Sequence, residues 1–161
     1  MIPRPSVVRI DDGVFTIDEQ TTLAADPGLS GVAGWLRGWL GPATGCWLPP
    51  GSDGIALTLD ETLAAEAYRL DVRPDGVRIT GGAPAGVFYG AQTLRQLLPP
   101  AVYRHAGREP GPWAVPAASI TDEPRFGWRG CLLAPAAGNQ ARSQDCRAGR
   151  HPYAPEYANA L

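Results

Sequence analysis

The chain has 161 residues, is 44% apolar, and balances 14 basic against 16 acidic side chains for a net charge of −2. That length provides one domain, or one domain with an appendage, and the slightly acidic balance excludes the basic face that nucleic-acid or membrane-surface partners require. With 20 glycines and 17 prolines, turns and long loops are expected instead of a helical bundle.

Taken in chain order, Val7–Ile10 and Val14–Ile17 are short β-prone runs joined by Asp11-Asp12-Gly13, a sequence suited to a hairpin turn. Thr21–Ala25 reads as a third strand, and Asp26-Pro27 offers an N-cap and a first-turn proline. From Leu29 to Leu40, Leu29, Val32, Ala33, Leu36 and Leu40 form one helical stripe with Trp35 and Trp39 beside it. Gly31, Gly34 and Gly38 weaken that helix by about 1 kcal/mol each relative to alanine, and Gly41-Pro42 is expected to end it.

Ile55–Leu59 alternates as a strand. Tyr68–Arg73 and Val77–Thr80 alternate on either side of Arg73-Pro74-Asp75-Gly76, which predicts an antiparallel hairpin. Gly81–Gly86 breaks the strand. Val87, Ala91, Leu94 and Leu98 then repeat at helical spacing, widened by Phe88 and Leu97, until Pro99-Pro100 stops them. A loop over Ala101–Pro112, extended pieces at Trp113–Pro116 and Ala118–Ile120, and a turn at Thr121–Pro124 follow. Arg125–Leu133 opens like a buried strand, but from Ala134 to Leu161 there is no Val, Ile, Phe or Trp, and disorder is expected. Hairpins with two helices on one face make the predicted fold α+β, with an antiparallel sheet.

Candidate chemistry is sparse. The glycine bend before the second helix superficially resembles a phosphate loop. It lacks the Lys-Ser/Thr pair and follows a hairpin strand, so a turn that lets helix and sheet approach closely explains it better. Asp60, Glu61 and Glu66 cluster as glycosidase carboxylates do, yet no apolar wall is near to raise a pKa, and a solvated turn accounts for them. Cys131, Cys146, His105 and His151 show no CxxC, HxxxH or HExxH spacing, so neither a metal nor a cofactor is expected. Three cysteines, Cys46, Cys131 and Cys146, cannot all pair. With no apolar signal region after Met1 and no membrane-length apolar run, this points to free thiols in the cytoplasm. Arg125 and Arg129 flank Phe126 and Trp128. Such a guanidinium beside an indole can grip vicinal sugar hydroxyls, or pair with Asp122 or Glu123.

A longer correspondence changes this reading. Ile2–Pro5, Glu66–Leu70, the run AGVFYGAQTLRQLL over Ala85–Leu98, Trp113 with Val115-Pro116, and Ile120–Phe126 with Trp128-Arg129-Gly130 together resemble family 20 glycoside hydrolases. These are the β-N-acetylhexosaminidases, and the resemblance covers the first 133 or so residues in the family's order. It implies three parts. Residues 1–121 form the zincin-like non-catalytic N-terminal domain, 122–133 a linker and the first strand of a (β/α)₈ barrel, and 134–161 an unpatterned tail. In the family the substrate's acetamido oxygen attacks the anomeric carbon, a glutamic acid protonates the leaving oxygen and an aspartate orients the acetamido group. Arg129 matches the residue that holds sugar hydroxyls.

After Leu133 the resemblance stops, and the family's catalytic Asp-Glu pair does not follow it. A barrel needs about 250 residues, so the expectation is a catalytically inactive hexosaminidase fragment, produced by a frameshift or truncation. Two alternatives stay open. One is a free-standing carbohydrate-binding or protein-interaction domain using Trp35, Trp39 and Trp47. The other is a subunit completed in trans by a separate barrel. Exposed apolar surface near Phe126 and Trp128 is expected to limit solubility.

Overall fold

The computed structural model describes residues 3–103 and 111–130. The chain divides into two units, Met1–Arg125 and Phe126–Leu161, and the described part of the second is 126–130. The expected tail over 134–161, most of the Ala101–Pro112 loop, His105, His151, Cys131 and Cys146 lie outside the described residues.

The first unit is α+β. A six-stranded sheet runs in the order β1-β6-β4-β5-β3-β2, with β1 Val7–Ile17, β2 Thr22–Ala25, β3 Gly54–Leu59, β4 Tyr68–Arg73, β5 Gly76–Gly81 and β6 Trp113–Asp122. Helices α1 Ser30–Thr44 and α2 Pro84–Leu97 pack on it, touching edge-to-face through Trp35 and Phe88 at 4.9 Å between ring centroids. The predicted hairpin is present: β4 and β5 pair antiparallel from Tyr68↔Gly81 to Arg73↔Gly76.

The sheet, however, is mixed and not wholly antiparallel, because β2 pairs parallel with β3 and β3 parallel with β5. Parallel neighbours need a crossover, and α1 supplies it between β2 and β3. The expected Asp11-Asp12-Gly13 hairpin is instead a bulge within one long strand. Val7–Ile10 and Val14–Ile17 both pair with β6, with the register shifting between Ile10 and Val14. The ten residues of β6 can pair with both halves at once, whereas a local hairpin would pair each half only with the other. A bulge also reverses which side chains face inward. Phe15 and Ile17 are buried opposite Val115 and Trp113, while beyond the shift Ile120 and Ala118 are the buried partners of Val8 and Ile10. Pro116, which would forfeit a ladder bond in mid-sheet, sits at this bulge, beyond the Tyr68–Val72 segment that pairs with β6 on its other side. It therefore lies within a strand that the sequence divides in two. Thr121 and Asp122, expected in a turn, complete that strand.

Two helix signals also fall differently. Asp26 does not cap α1. Its carbonyl accepts from the Leu29 amide at 3.1 Å, while its carboxylate accepts from the Leu59 amide at 2.9 Å, tying the helix entrance to the end of β3. Nor does Pro42 end α1, which runs on to a left-handed Gly45 whose amide bonds to the Gly41 carbonyl. A proline deprives the carbonyl four residues earlier of its donor. Here that residue is Gly38, which is exposed, so water can serve. The core lies between the helices and the sheet, with Leu36, Leu40, Ile55, Leu57, Leu70, Ile79, Leu94 and Ile120 at most 1% exposed.

Candidate functional site

The glycine bend is where a phosphate site would lie, and the structure closes it. A methyl group added at Gly81 would collide with the backbone of Val87, at Gly82 with the carbonyls of Leu63 and Ala64, and at Gly86 with the carbonyl of Ala67. The loop between β3 and β4 therefore packs directly against Gly82 and Gly86, and the start of α2 against Gly81. An anion would meet carbonyl oxygens here, the negative ends of peptide dipoles. The glycines exist for close approach, which is the turn reading of the sequence.

The three carboxylates of that loop do not make an acid–base pair. Asp60 accepts from the hydroxyl and amide of Thr62 at 2.5 and 3.0 Å. These two bonds, helped by Arg69 at 3.8 Å, hold its carboxyl below the usual carboxylate range. A general acid needs the opposite shift, so Asp60 cannot protonate a leaving group at neutral pH. Glu66 accepts from the Tyr89 hydroxyl at 3.1 Å, and Glu61 is exposed.

Tyr68 is also altered by its surroundings, its phenol lying 2.6 Å from the Thr93 hydroxyl beneath α2. Burial raises its pKa above the ordinary 10.0, against the opposing effect of the Thr93 bond. A raised folded value means that the protein prefers the neutral phenol. That contribution is whole below the unfolded pKa and is lost as pH climbs through the folded one. Tyr68→Phe should cost about 1–2 kcal/mol at neutral pH by stranding the buried Thr93 hydroxyl. It should also flatten the fall in urea midpoint between neutral pH and about pH 11. An equally steep fall in the variant would assign the alkaline sensitivity elsewhere.

In the second unit, Arg129 donates to the Phe126 carbonyl at 2.7 Å, and Phe126 and Trp128 are 73% and 86% exposed. Asp122, the alternative partner foreseen for these arginines, accepts from the amide and hydroxyl of Ser6 at 3.0 and 2.9 Å. Among the described residues no group of three or more metal-ligating side chains occurs, and no helix is long and apolar enough to cross a membrane. A polar hollow of about 380 Å³ lies against Asp71, Arg73, Asp75 and Arg78, on the sheet face turned away from the helices. Sequence spacing did not bring out Arg95, whose guanidinium stacks 4.6 Å over Trp39 and 5.2 Å over Tyr103. These three residues come from separate elements, and no periodicity links them.

Residues 1–123 match the model of glycosyl hydrolase family 20, domain 2. The chain belongs to this family. Its relatives include a β-hexosaminidase of Porphyromonas gingivalis, 34% identical over 142 residues, and a β-N-acetylhexosaminidase of Cellulomonas fimi, 33% identical over 144. Each alignment takes in 83% of this chain but only 18% and 28%, respectively, of the relative. The fold also matches the family 20 β-N-acetylhexosaminidase of Streptomyces coelicolor A3(2), with a TM-score of 0.73 and 41% identity. The Streptomyces plicatus enzyme in complex with Thio-NAglucal gives 0.74 and 42%. In both, 80% of this chain overlays 27% of the other. The chain thus corresponds to the N-terminal domain of family 20 enzymes and spans about a quarter of the Streptomyces chains.

Proposed function

We propose that this chain is the accessory domain of an enzyme that removes terminal N-acetylhexosamine residues, and that it does not turn over substrate by itself. The observation that carries this reading is the family match over residues 1–123, confined to one domain of relatives several times longer. The carboxylate chemistry agrees, since Asp60 is held ionised and the neighbouring acids are engaged or solvated. Arg129 is the contribution this sequence makes to substrate. Its planar fork of donors suits vicinal hydroxyls once a barrel is assembled around it, in cis or in trans. Cys46, a buried free thiol, is compatible with the cytoplasm as its compartment.

The test is hydrolysis of a chromogenic N-acetylglucosaminide by the purified chain. No release above a buffer blank is expected, and turnover would overturn the proposal. Binding of chitooligosaccharides without turnover would favour a free-standing sugar-binding domain. For Arg129, the relevant protein is a chimera in which residues 1–130 replace the matching part of the Streptomyces coelicolor enzyme. There Arg129→Ala should lower kcat/KM by about tenfold or more, the loss of a charged hydrogen bond. An unchanged value would remove Arg129 from the substrate site.

A further inference from the structure

The sheet face turned away from the helices is not uniform. At one end Arg69 is joined to Asp60 at 3.8 Å, and the Thr58 and Thr80 hydroxyls lie 2.8 Å apart in a hydrogen bond. There the polar side chains satisfy one another, as on an ordinary solvated sheet. Towards the β4–β5 turn they do not. Asp71 and Arg78 stand opposite each other in the ladder, yet Asp71 takes the Ser119 hydroxyl at 3.0 Å instead. The side chains of Arg73, Asp75 and Arg78 make no hydrogen bond or ion pair among the described residues.

These four charged groups, with Ser52, line the hollow of about 380 Å³. That volume falls within the roughly 300–1,000 Å³ of small-molecule sites. The floor is bare, because Gly54, Ala56 and Gly76 carry nothing larger than a methyl group. The two glycines have their own reasons. Gly54 has a φ of +144°, and a Cβ at Gly76 would come 2.9 Å from the Gly54 carbonyl oxygen. They account for the space but not for the unpaired charges around it.

Two guanidiniums and two carboxylates cancel, so the hollow has no net charge with which to hold a simple anion or cation. What it offers is directional. Arginines only donate hydrogen bonds, and ionised aspartates only accept them. A neutral ligand whose groups do both satisfies all four side chains at once, and sugar hydroxyls and acetamido groups are of that kind. We infer that this hollow binds a neutral oligosaccharide of N-acetylhexosamine units through Arg73, Arg78, Asp71 and Asp75. The choice of sugar rests on the accessory-domain reading above, whereas the neutral, hydroxyl-rich class rests on the hollow itself. No aromatic ring lines it, so recognition is by hydrogen bonds and not by stacking. In the whole enzyme such a site keeps polymer at hand and raises the effective concentration of chain ends.

Titration of the isotopically labelled chain with chitohexaose, followed by amide NMR shifts, tests the site. Saturable shifts are expected at Gly54, Gly76 and Arg78. Arg73→Ala and Arg78→Ala should each weaken binding by about tenfold, the loss of a charged hydrogen bond. Arg78→Lys should weaken it too, since an ammonium keeps the charge but loses the fork. Arg69→Ala, on the same face but paired with Asp60, should bind as the parent does, and salt at about 1 M should change nothing. Displacement by inorganic phosphate, or an affinity that falls steeply with salt, would make this an anion site and overturn the inference. So would shifts confined to other surfaces, or no saturation. In the chimera with the Streptomyces coelicolor enzyme, Arg78→Ala should slow sugar release from colloidal chitin severalfold and spare the chromogenic glycoside. An unchanged rate on chitin would overturn the role in holding polymer. An active chimera built from a chain that binds no chitohexaose refutes the hollow while sparing the accessory-domain reading. Chitohexaose bound at the hollow, with a folded but inactive chimera, does the reverse and favours the free-standing sugar-binding domain.

Discussion

Gly86→Val should abolish the cooperative unfolding transition of this domain. Gly86 is buried in the first turn of α2, and a Cβ there would overlap the carbonyl oxygen of Ala67 and lie 3.2 Å from that of Ala65. Neither obstacle is the end of a flexible side chain. Both belong to the backbone that delivers the chain into β4, and the Ala67 carbonyl also accepts the Gly82 amide at 3.2 Å. To admit valine, α2 must lift from the hairpin, or the loop must move and give up that bond. Either movement exposes part of the layer formed by Val87, Ala91 and Leu94, all 0% exposed. The cost should exceed about 4 kcal/mol, most of the margin of a small domain. Far-ultraviolet circular dichroism against urea would measure it, and a sigmoidal transition near the parent midpoint would show that α2 does not dock as described. Gly90→Ala is the milder comparison. Its Cβ would come 2.5 Å from Ile79 Cγ2, a methyl of one buried side chain instead of backbone, and about 1–3 kcal/mol is expected.

These glycines also show what the sequence makes legible. The hairpin at Arg73–Gly76 is readable because its turn chemistry and both its strands are contiguous, so local preference and tertiary structure agree. α2 is readable from its apolar spacing and the prolines after its end, although it begins at Pro84, inside the expected bend. Asp11-Asp12-Gly13 has equally good turn chemistry and becomes a bulge. Its competitor, β6, lies about a hundred positions further along the chain, and no local pattern announces it. Parallel pairing of β3 with β5 is hidden likewise, since alternation is the same for either direction of a neighbour. Pro42 misleads because a proline's cost depends on whether water reaches one particular carbonyl. Of the candidate chemistry, the sequence reduces the glycine bend and the loop carboxylates to structure, and the bend's glycines do pack against backbone while Asp60 bonds to Thr62. Arg95 between two rings escapes it, being a meeting of distant elements.

Leu36→Ala should lower stability by about 3–4 kcal/mol, the loss of a fully buried leucine plus the cavity it leaves. Leu36 is 1% exposed in the middle of α1, on the stripe that faces the sheet with Val32, Ala33 and Leu40. Its neighbour Trp35 is larger, yet Trp35→Ala should cost the isolated domain less. The indole is half-buried, and its specific contact is the edge-to-face packing on Phe88, worth about 0.5–1.5 kcal/mol beyond area. Size alone would predict the reverse order, so the pair separates two roles carried by consecutive residues. One side of α1 is sealed inside the core, and the other packs at its margin, where Trp35 meets α2. Urea midpoints of the two variants check the ranking directly. If Trp35→Ala proved the more damaging, the contact of Trp35 with Phe88 would hold α1 in place more firmly than Leu36 does from inside the core.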